Sequence, residues 1–228
     1  LHELVHALLK AGHELYVVAP KTEQSWIGAA KSRNRPVRSM PEDRGLACPT
    51  WSVDGTPSDC VNIALAHLLP ETPDAVVSGI NIGLNASLGF ILASGTIAGA
   101  WEGAVHGLPA IAVSQDLPLR EFEQVRQNHG RPTAPILASL RASAAHAAKL
   151  VPRFAQATAA RSFVVHNVNF PYPCSNDTEV RRTVPARVII PGLFSPQADD
   201  GTHRFVFKLG QDISPDTPLT DRSALASG

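Results

Sequence analysis

The sequence lacks the features that mark several protein classes. Its 228 residues include only three cysteines and no CxxC spacing, which argues against a zinc site or a disulfide framework. The chain has 20 lysine and arginine residues and 20 aspartate and glutamate residues. The net charge is therefore zero and gives no indication of a nucleic-acid surface. No apolar run could span a bilayer, and no signal-peptide pattern is visible. We therefore expect a cytoplasmic protein without nucleic-acid or membrane partners.

Motifs of several enzyme classes are also missing. There is no GxSxG elbow, no GxGxxG turn and no GxxxxGK[ST] loop, so a serine hydrolase, a dinucleotide enzyme and a P-loop enzyme gain no direct support. His2 and His6 are four residues apart, but no HExxH motif surrounds them. We interpret them as exposed or structural and leave the role of His166 open.

An alternation of helical and strand-like segments is present instead. Apolar residues recur at helical spacing near the start of the chain, and nearly continuous apolar runs are typical of buried parallel strands. This alternation favours an α/β fold with a doubly wound, mostly parallel sheet. We predict strands over Glu14–Pro20, Trp51–Val53, Ala75–Ser78, Ala110–Ser114 and Phe163–Asn169, and helices over residues 1–11, 57–68, 96–106 and 133–150.

The pattern changes after residue 170. Segments Arg187–Phe194 and His203–Leu209 flank Asp199-Asp200-Gly201, which predicts a β-hairpin. We predict an α/β core over residues 1–170 and a C-terminal extension with this hairpin over residues 171–228. The chain starts without Met inside a helical pattern, and a βαβ unit needs a strand before that helix. We therefore expect a piece of a longer protein whose first strand precedes Leu1.

Polar residues follow several predicted strands. The glycine- and asparagine-rich loop 78–85 is either a ligand-binding loop at the sheet edge or a turn that tolerates positive φ. Ser94-Gly95-Thr96 opens a helix, where backbone N–H groups suit a phosphate, although N-capping explains the same residues. Ser25 follows the Glu14–Pro20 strand and could reach the same edge, or be an ordinary loop serine.

Taken in order along the chain, these motifs resemble the SurE family of 5′-nucleotidases. The resemblance is dense over residues 1–116 and returns at Asn167–Asn169 and Thr220–Ala224. It is carried by Gly12-His13-Glu14, Val17–Pro20, Gln24-Ser25, Gly55–Val61, Pro73–Asn85, Ser94–Thr96 and Gly107–Ser114.

The resemblance implies a Rossmann-like core with an extended C-terminal arm, in a homodimer or higher homo-oligomer. It implies hydrolysis of nucleoside 5′-monophosphates with a divalent cation, Mg or Mn. Family metal ligands are an aspartate pair, a serine and an asparagine; Ser25 and Asn81 match the last two. The pair would precede Leu1, so the catalytic residues are unassigned. Positions near the bound phosphate are matched by Asn85, Ser94, Gly95 and Thr96.

A hard cation prefers oxygen ligands, and two neutral oxygens without the aspartates should hold it poorly. We therefore expect this chain to be nearly inactive and its longer parent to be active. A non-catalytic relative that binds nucleotide or phosphate is the alternative; a Rossmann-like nucleotide-sugar or dinucleotide enzyme would instead show GxGxxG upstream. Two positions depart from the family pattern: Trp26 replaces a usual glycine, and Ala93 a usual tyrosine.

Overall fold

A computed structural model describes residues 1–227, in which helices and strands alternate. The helices are α1 (His2–Lys10), α2 (Pro57–Ile63), α3 (Leu88–Ala93), α4 (Gly95–Val105), α5 (Leu119–Gln127), α6 (Ala134–Ala157) and α7 (Asp221–Ala226). The strands are β1 (Val17–Pro20), β2 (Ser39–Pro41), β3 (Thr50–Val53), β4 (Val76–Ile82), β5 (Ala110–Gln115), β6 (Val165–Phe170), β7 (Val188–Ile189) and β8 (Gln211–Asp212). A π-helical turn over Ala64–Leu68 continues α2.

The predicted α/β fold with parallel strands is confirmed. Strands β4, β5 and β6 form one parallel sheet in the order β4-β5-β6. Strand β1 pairs in parallel with β3, and β2 adds an antiparallel edge to β3. Within residues 1–227 these strands form two sheets, with β1 and β4 each at an edge. The sequence did not predict this division, because periodicity identifies a strand but not the strand beside it.

The main core lies between the β4-β5-β6 sheet and helices α1 and α6. Leu4 and Leu8 of α1 pack with Ile111 and Val113 of β5, and the alanine-rich face of α6 completes the cluster. Ile111 and Val113 are almost fully buried, and each such side chain stabilises the fold by roughly 1.5 to 3 kcal/mol. This packing holds β5 rigidly, so the residues at its carboxyl end have defined positions.

Helix α4 packs closely through a row of glycines, Gly95, Gly99 and Gly103. A Cβ added to Gly103 would lie 2.6 Å from the Cβ of Val76, and one added to Gly99 would lie 2.9 Å from the Oγ of Ser78. Because Gly103 meets the start of β4 and Gly99 its middle, α4 runs antiparallel to β4. The N-terminus of α4 therefore lies toward the carboxyl end of that strand.

The capping signals for α2 are confirmed. Thr56 is the N-cap, its Oγ accepts the Asp59 N–H at 3.1 Å, and the Asp59 carboxylate accepts the Thr56 N–H at 2.9 Å. The helix predicted over 133–150 extends to Ala157 and contains Pro152, because Val151 and Phe154 continue its packing against the core. That burial offsets the hydrogen bond that proline removes from a helix.

Four short elements, α3, α5, α7 and β2, were not predicted. Helix α5 has no buried residue and is supported by the Glu123–Arg126 ion pair at 2.7 Å. Its apolar residues Leu119 and Phe122 stay exposed. Helix α3 has six residues and buries only Phe90. Strand β2 has three residues and forms only because β3 provides a partner edge.

The predicted C-terminal hairpin is confirmed, but its second regular strand, β8, lies just beyond the predicted arm His203–Leu209. Strand β7 pairs antiparallel with β8, and Phe194 bridges Phe205 closer to the turn. At the turn, Gly201 has a φ of +82°, and Asp200 accepts the Thr202 N–H at 3.0 Å. The division into segments 1–170 and 171–228 stays a prediction, and its last residue lies outside the described residues. Among residues 1–227, no helix combines the length and apolar character needed to cross a bilayer.

Candidate active site

Asn81 lies near the carboxyl end of β4, opposite Ser114 of β5. Its Nδ2 donates to the Gly83 carbonyl oxygen at 2.8 Å, which fixes the orientation of the amide. Its Oδ1 accepts no hydrogen bond from residues 1–227. The local bend depends on Gly79, which has a φ of +131° and would bring any Cβ into collision with the Val113 carbonyl oxygen. Asn81 thus presents an oriented oxygen at the sheet edge.

Asn85 lies in a buried polar network just beyond β4, and only 5% of its surface is exposed. Its Nδ2 donates to Ser114 Oγ at 2.8 Å, and its N–H donates to Asn169 Oδ1 at 2.8 Å. Asn167 Nδ2 donates to the Asn85 carbonyl oxygen at 2.8 Å. These bonds tie loop 83–87 to β5 and β6. The roles of Ser114 and Asn169 are visible only in three dimensions, since neither residue lies near Asn85 in sequence.

The N-terminus of α4 carries Ser94, Gly95 and Thr96. Ser94 is the N-cap, and its Oγ accepts the Ile97 N–H at 3.1 Å. The first N–H groups of a helix have no partner within that helix, so Gly95 and Thr96 can donate to an anion. Capping and anion binding are therefore compatible here, because they use different atoms.

Ser25 lies in the loop Gln24–Gly28, which packs against the start of α4. The Gly28 N–H donates to the Ala93 carbonyl oxygen at 2.9 Å, and the space beside Gly95 is filled by Gln24 and Ile27. Ser25 is exposed, and its Oγ donates to Glu23 Oε1 at 2.6 Å. The structure therefore brings the loop of Ser25 together with the α4 N-terminus, on the side of α4 that points to the carboxyl end of β4.

Asp116 is a residue of this edge that the sequence analysis missed. It follows β5 directly, and its N–H donates to the Phe170 carbonyl oxygen at 2.8 Å. Burial raises the pKa of Asp116, and the positive charge of Arg222 opposes that increase. A single carboxylate after an apolar strand carries no distinctive sequence signal, and Arg222, whose charge acts on it, lies more than 100 residues away.

His166 lies in β6 opposite Ile111, toward the amino ends of the strands and away from this edge. Its ring stacks on Phe154 with centroids 4.2 Å apart, and burial lowers its pKa. It is therefore a packed histidine of the fold. Within the described range 1–227, no three His, Cys, Asp or Glu side chains come together in an arrangement that could hold a metal ion.

A parallel α/β sheet with polar groups gathered at its carboxyl edge defines a Rossmann-like protein with a candidate phosphate site. Residues 1–189 match the family described as Survival protein SurE, and the chain belongs to this family. It is similar to the "5′-nucleotidase SurE" of Nitratidesulfovibrio vulgaris, with 39% identity covering 100% of this chain and 78% of that relative.

Two further comparisons give the extent of the likeness. The "5′-nucleotidase SurE" of Synechococcus elongatus is 43% identical over 127 residues, which cover 54% of this chain and 48% of that protein. The chain thus spans about half the length of several curated relatives that it matches. The crystal structure of a SurE protein from Aquifex aeolicus gives a TM-score of 0.66 at 24% identity, over 100% of this chain and 84% of the other. It supports the fold.

Proposed function

We propose that the protein is a metal-dependent phosphomonoesterase of the 5′-nucleotidase type, acting on nucleoside 5′-monophosphates. The proposal depends on one observation: the α4 N-terminus packs against the Ser25 loop and points toward the edge that carries Asn81. In this proposal the N–H groups of Gly95 and Thr96, with Ser94 and Asn85 nearby, bind the phosphate. The relatives named 5′-nucleotidase SurE support the same reaction class.

The proposed cofactor is Mg or Mn, with Ser25 Oγ and Asn81 Oδ1 as ligands. The donor chemistry fits in part, because Asn81 Oδ1 is oriented and unoccupied by any hydrogen bond from residues 1–227. Two neutral oxygens are too few for a hard dication, and the described residues add no acidic cluster. A bound cation would neutralise phosphate charge. We propose that an aspartate pair upstream of Leu1 completes the site and that the 228-residue chain is nearly inactive without it.

Release of inorganic phosphate from a panel of nucleoside monophosphates tests this proposal. The assay compares the 228-residue chain with protein extended upstream to its native start, each with Mn, with Mg and with chelator. We expect chelator-sensitive release from the extended protein and almost none from the shorter chain. Asn81→Ala should abolish release, whereas Asn176→Ala, at an exposed position, should not. Full activity in the 228-residue chain would contradict the proposed role of the upstream pair.

The absence of an acidic cluster from residues 1–227 also favours a second candidate, a non-catalytic protein that binds nucleotide or phosphate. The assay separates the two candidates. A folded, extended protein that releases no phosphate with either metal, but binds nucleoside monophosphate in calorimetry, would support the binding protein and exclude the phosphatase.

A homodimer or higher homo-oligomer is proposed through the C-terminal hairpin. Large apolar side chains of the hairpin are exposed, including Phe194 at 63% and Ile189 at 57%. Contiguous exposed apolar surface of this kind marks protein interaction sites. Light scattering of the wild type and of Phe194→Ser would test the assembly, with a smaller particle expected for the variant. The cytoplasmic location stays a prediction from the sequence.

A further inference from the structure

Four aromatic rings from three separate segments meet beside the candidate active site. Trp26 of the Gln24–Gly28 loop contacts Phe90 of α3 and two hairpin residues, Phe205 and Phe207; we call these four residues the aromatic cluster. The ring centroids of Trp26 and Phe205 are 5.0 Å apart, those of Trp26 and Phe90 are 5.5 Å apart, and those of Phe90 and Phe207 are 5.9 Å apart. Such separations are typical of aromatic pairs in contact.

Trp26 joins the aromatic cluster to the phosphate-binding groups. It directly follows Ser25, and Ile27 packs at the position where a Cβ of Gly95 would lie, 3.2 Å away. The Gly28 N–H bonds to Ala93, the residue before Ser94. The Trp26 ring is therefore attached to a short loop that is fixed against the α4 N-terminus.

The backbone of Trp26 has a φ of +64°, in the left-handed region that non-glycine residues rarely adopt. Strained residues of this kind concentrate at ligand-binding sites, where the direction of a side chain matters. In this conformation the indole contacts Phe205 and Phe207 of the hairpin. An aromatic side chain at this position therefore has a cost that a glycine would avoid.

The aromatic cluster is only partly covered. Phe90 is buried, Trp26 is half-buried, and Phe205 and Phe207 are 46% and 50% exposed. Behind Phe90, the guanidinium carbon of Arg222 lies 6.0 Å from the ring centroid. The buried Nη1 of Arg222 has no hydrogen-bond partner among residues 1–227. The aromatic surface open to solvent thus belongs to a cluster whose buried ring, Phe90, lies over Arg222, and Trp26 connects that surface to the loop packed against the α4 N-terminus.

We propose that Trp26, with Phe205 beside it, is the stacking surface for the base of the nucleotide. The inference rests on the proposed function, since it takes the phosphate to bind at Ser94, Gly95 and Thr96. A flat aromatic face accepts any base, because every base has a π-face. Trp26 is therefore a specificity-determining residue that selects nucleotides over phosphate esters without a base. The hairpin contributes to this surface through Phe205.

Binding by the 228-residue chain tests the inference without any catalytic readout. Adenosine 5′-monophosphate and uridine 5′-monophosphate should quench tryptophan fluorescence, and ribose 5-phosphate should not. Trp26→Phe should lose the quenching but keep most of the affinity in calorimetry. Trp26→Leu should weaken the affinity for both nucleotides about tenfold or more, because stacking on an aromatic ring is lost. Trp101→Phe, an exposed position outside the aromatic cluster, is the matched control and should behave as wild type.

A purely structural role for Trp26 would overturn the inference. In that case Trp26→Leu would bind nucleotides with wild-type affinity. Its melting temperature could still fall, because the hairpin would pack less well. Quenching that persists in Trp26→Phe would overturn it too. Because these measurements use binding alone, their outcome is independent of the phosphate-release assay. Nucleotide stacking in the 228-residue chain, together with no phosphate release from the extended protein, would leave the inference intact and remove the proposed enzyme activity.

Discussion

The Asp221 carboxylate accepts the backbone N–H of Ser87 at 2.8 Å, across 134 residues of sequence. The same carboxylate accepts the Ala186 N–H at 2.9 Å. Asp221 is buried at the start of α7, and both donors are buried as well. One side chain thus connects the C-terminal helix, the base of the hairpin and the loop that follows β4 and Asn85. The loop beside the candidate active site is held in place by the far end of the chain.

Asp221→Ala should destabilise the protein by roughly 2 to 4 kcal/mol, because it leaves two buried N–H groups without an acceptor. Urea unfolding followed by circular dichroism measures the change as a lower midpoint. Asp216→Ala, at an exposed aspartate five residues earlier, is the control and should leave the midpoint unchanged. Equal midpoints for the two variants would show that the contacts of Asp221 do not stabilise the loop.

Gly103→Ala should destabilise the protein by about 1 to 2 kcal/mol. The added methyl meets Val76 at 2.6 Å, and overpacking of this kind outweighs the gain of about 1 kcal/mol from replacing glycine in a helix. The double variant Gly103→Ala with Val76→Ala should recover part of the loss, because it removes the colliding side chain. Gly192→Ala, where nothing lies within 4 Å, should be neutral. An unchanged or higher melting temperature for Gly103→Ala would contradict the close packing of α4 on β4.

His166 should make the protein less stable as the pH falls. Burial lowers the pKa of His166 in the folded state, so the unfolded chain binds the proton more readily. The free energy of unfolding should therefore decrease from pH 7.5 through the ordinary histidine pKa of about 6.5 and toward the lower folded value. His166→Gln should flatten this part of the stability curve. His129→Gln, at an exposed position, should leave its shape unchanged, and an unaltered curve for His166→Gln would contradict the prediction.

Asp116→Asn should stabilise the protein at neutral pH, raising the melting temperature by about 2 °C. Burial raises the pKa of Asp116 in the folded state. The free energy of unfolding therefore falls as the pH rises from the ordinary aspartate pKa through the folded value, and it stays lower above that value. Arg222→Met removes the opposing positive charge and should raise that pKa further, which carboxyl NMR would detect. Asp177→Asn, at an exposed aspartate, is the control. A lower melting temperature for Asp116→Asn would show that the carboxylate makes a favourable contact instead.

The predicted elements succeeded where local signals are strong. The capping residues Thr56 and Asp59 place the start of α2 correctly, and the apolar run before Ser114 is β5. The predictions failed where an element depends on distant partners. Helix α3 forms where no helix was predicted, and the residue before it, Ser87, donates its N–H to Asp221. No pattern within a short window contains that information.

The candidate site shows the same difference between local signals, which the sequence reveals, and distant contacts, which it does not. Motif order predicted the family, which the comparisons confirm, and it named Ser25, Asn81 and the Ser94–Thr96 turn. It did not indicate that the positive charge of Arg222 acts on Asp116, nor that Trp26 contacts Phe205 of the hairpin. These interactions join residues more than 100 positions apart, and they arise only when the chain has folded.

The sequence by itself determined the α/β class, the N-caps of α2 and α4, the hairpin turn and the family. Each of these depends on backbone preferences and apolar spacing within a few residues. The tertiary structure alone decided how the strands divide into two sheets, how closely α4 lies on β4, and which rings surround Trp26. Those outcomes depend on packing between segments distant along the chain, where burial and shape complementarity outweigh local preference.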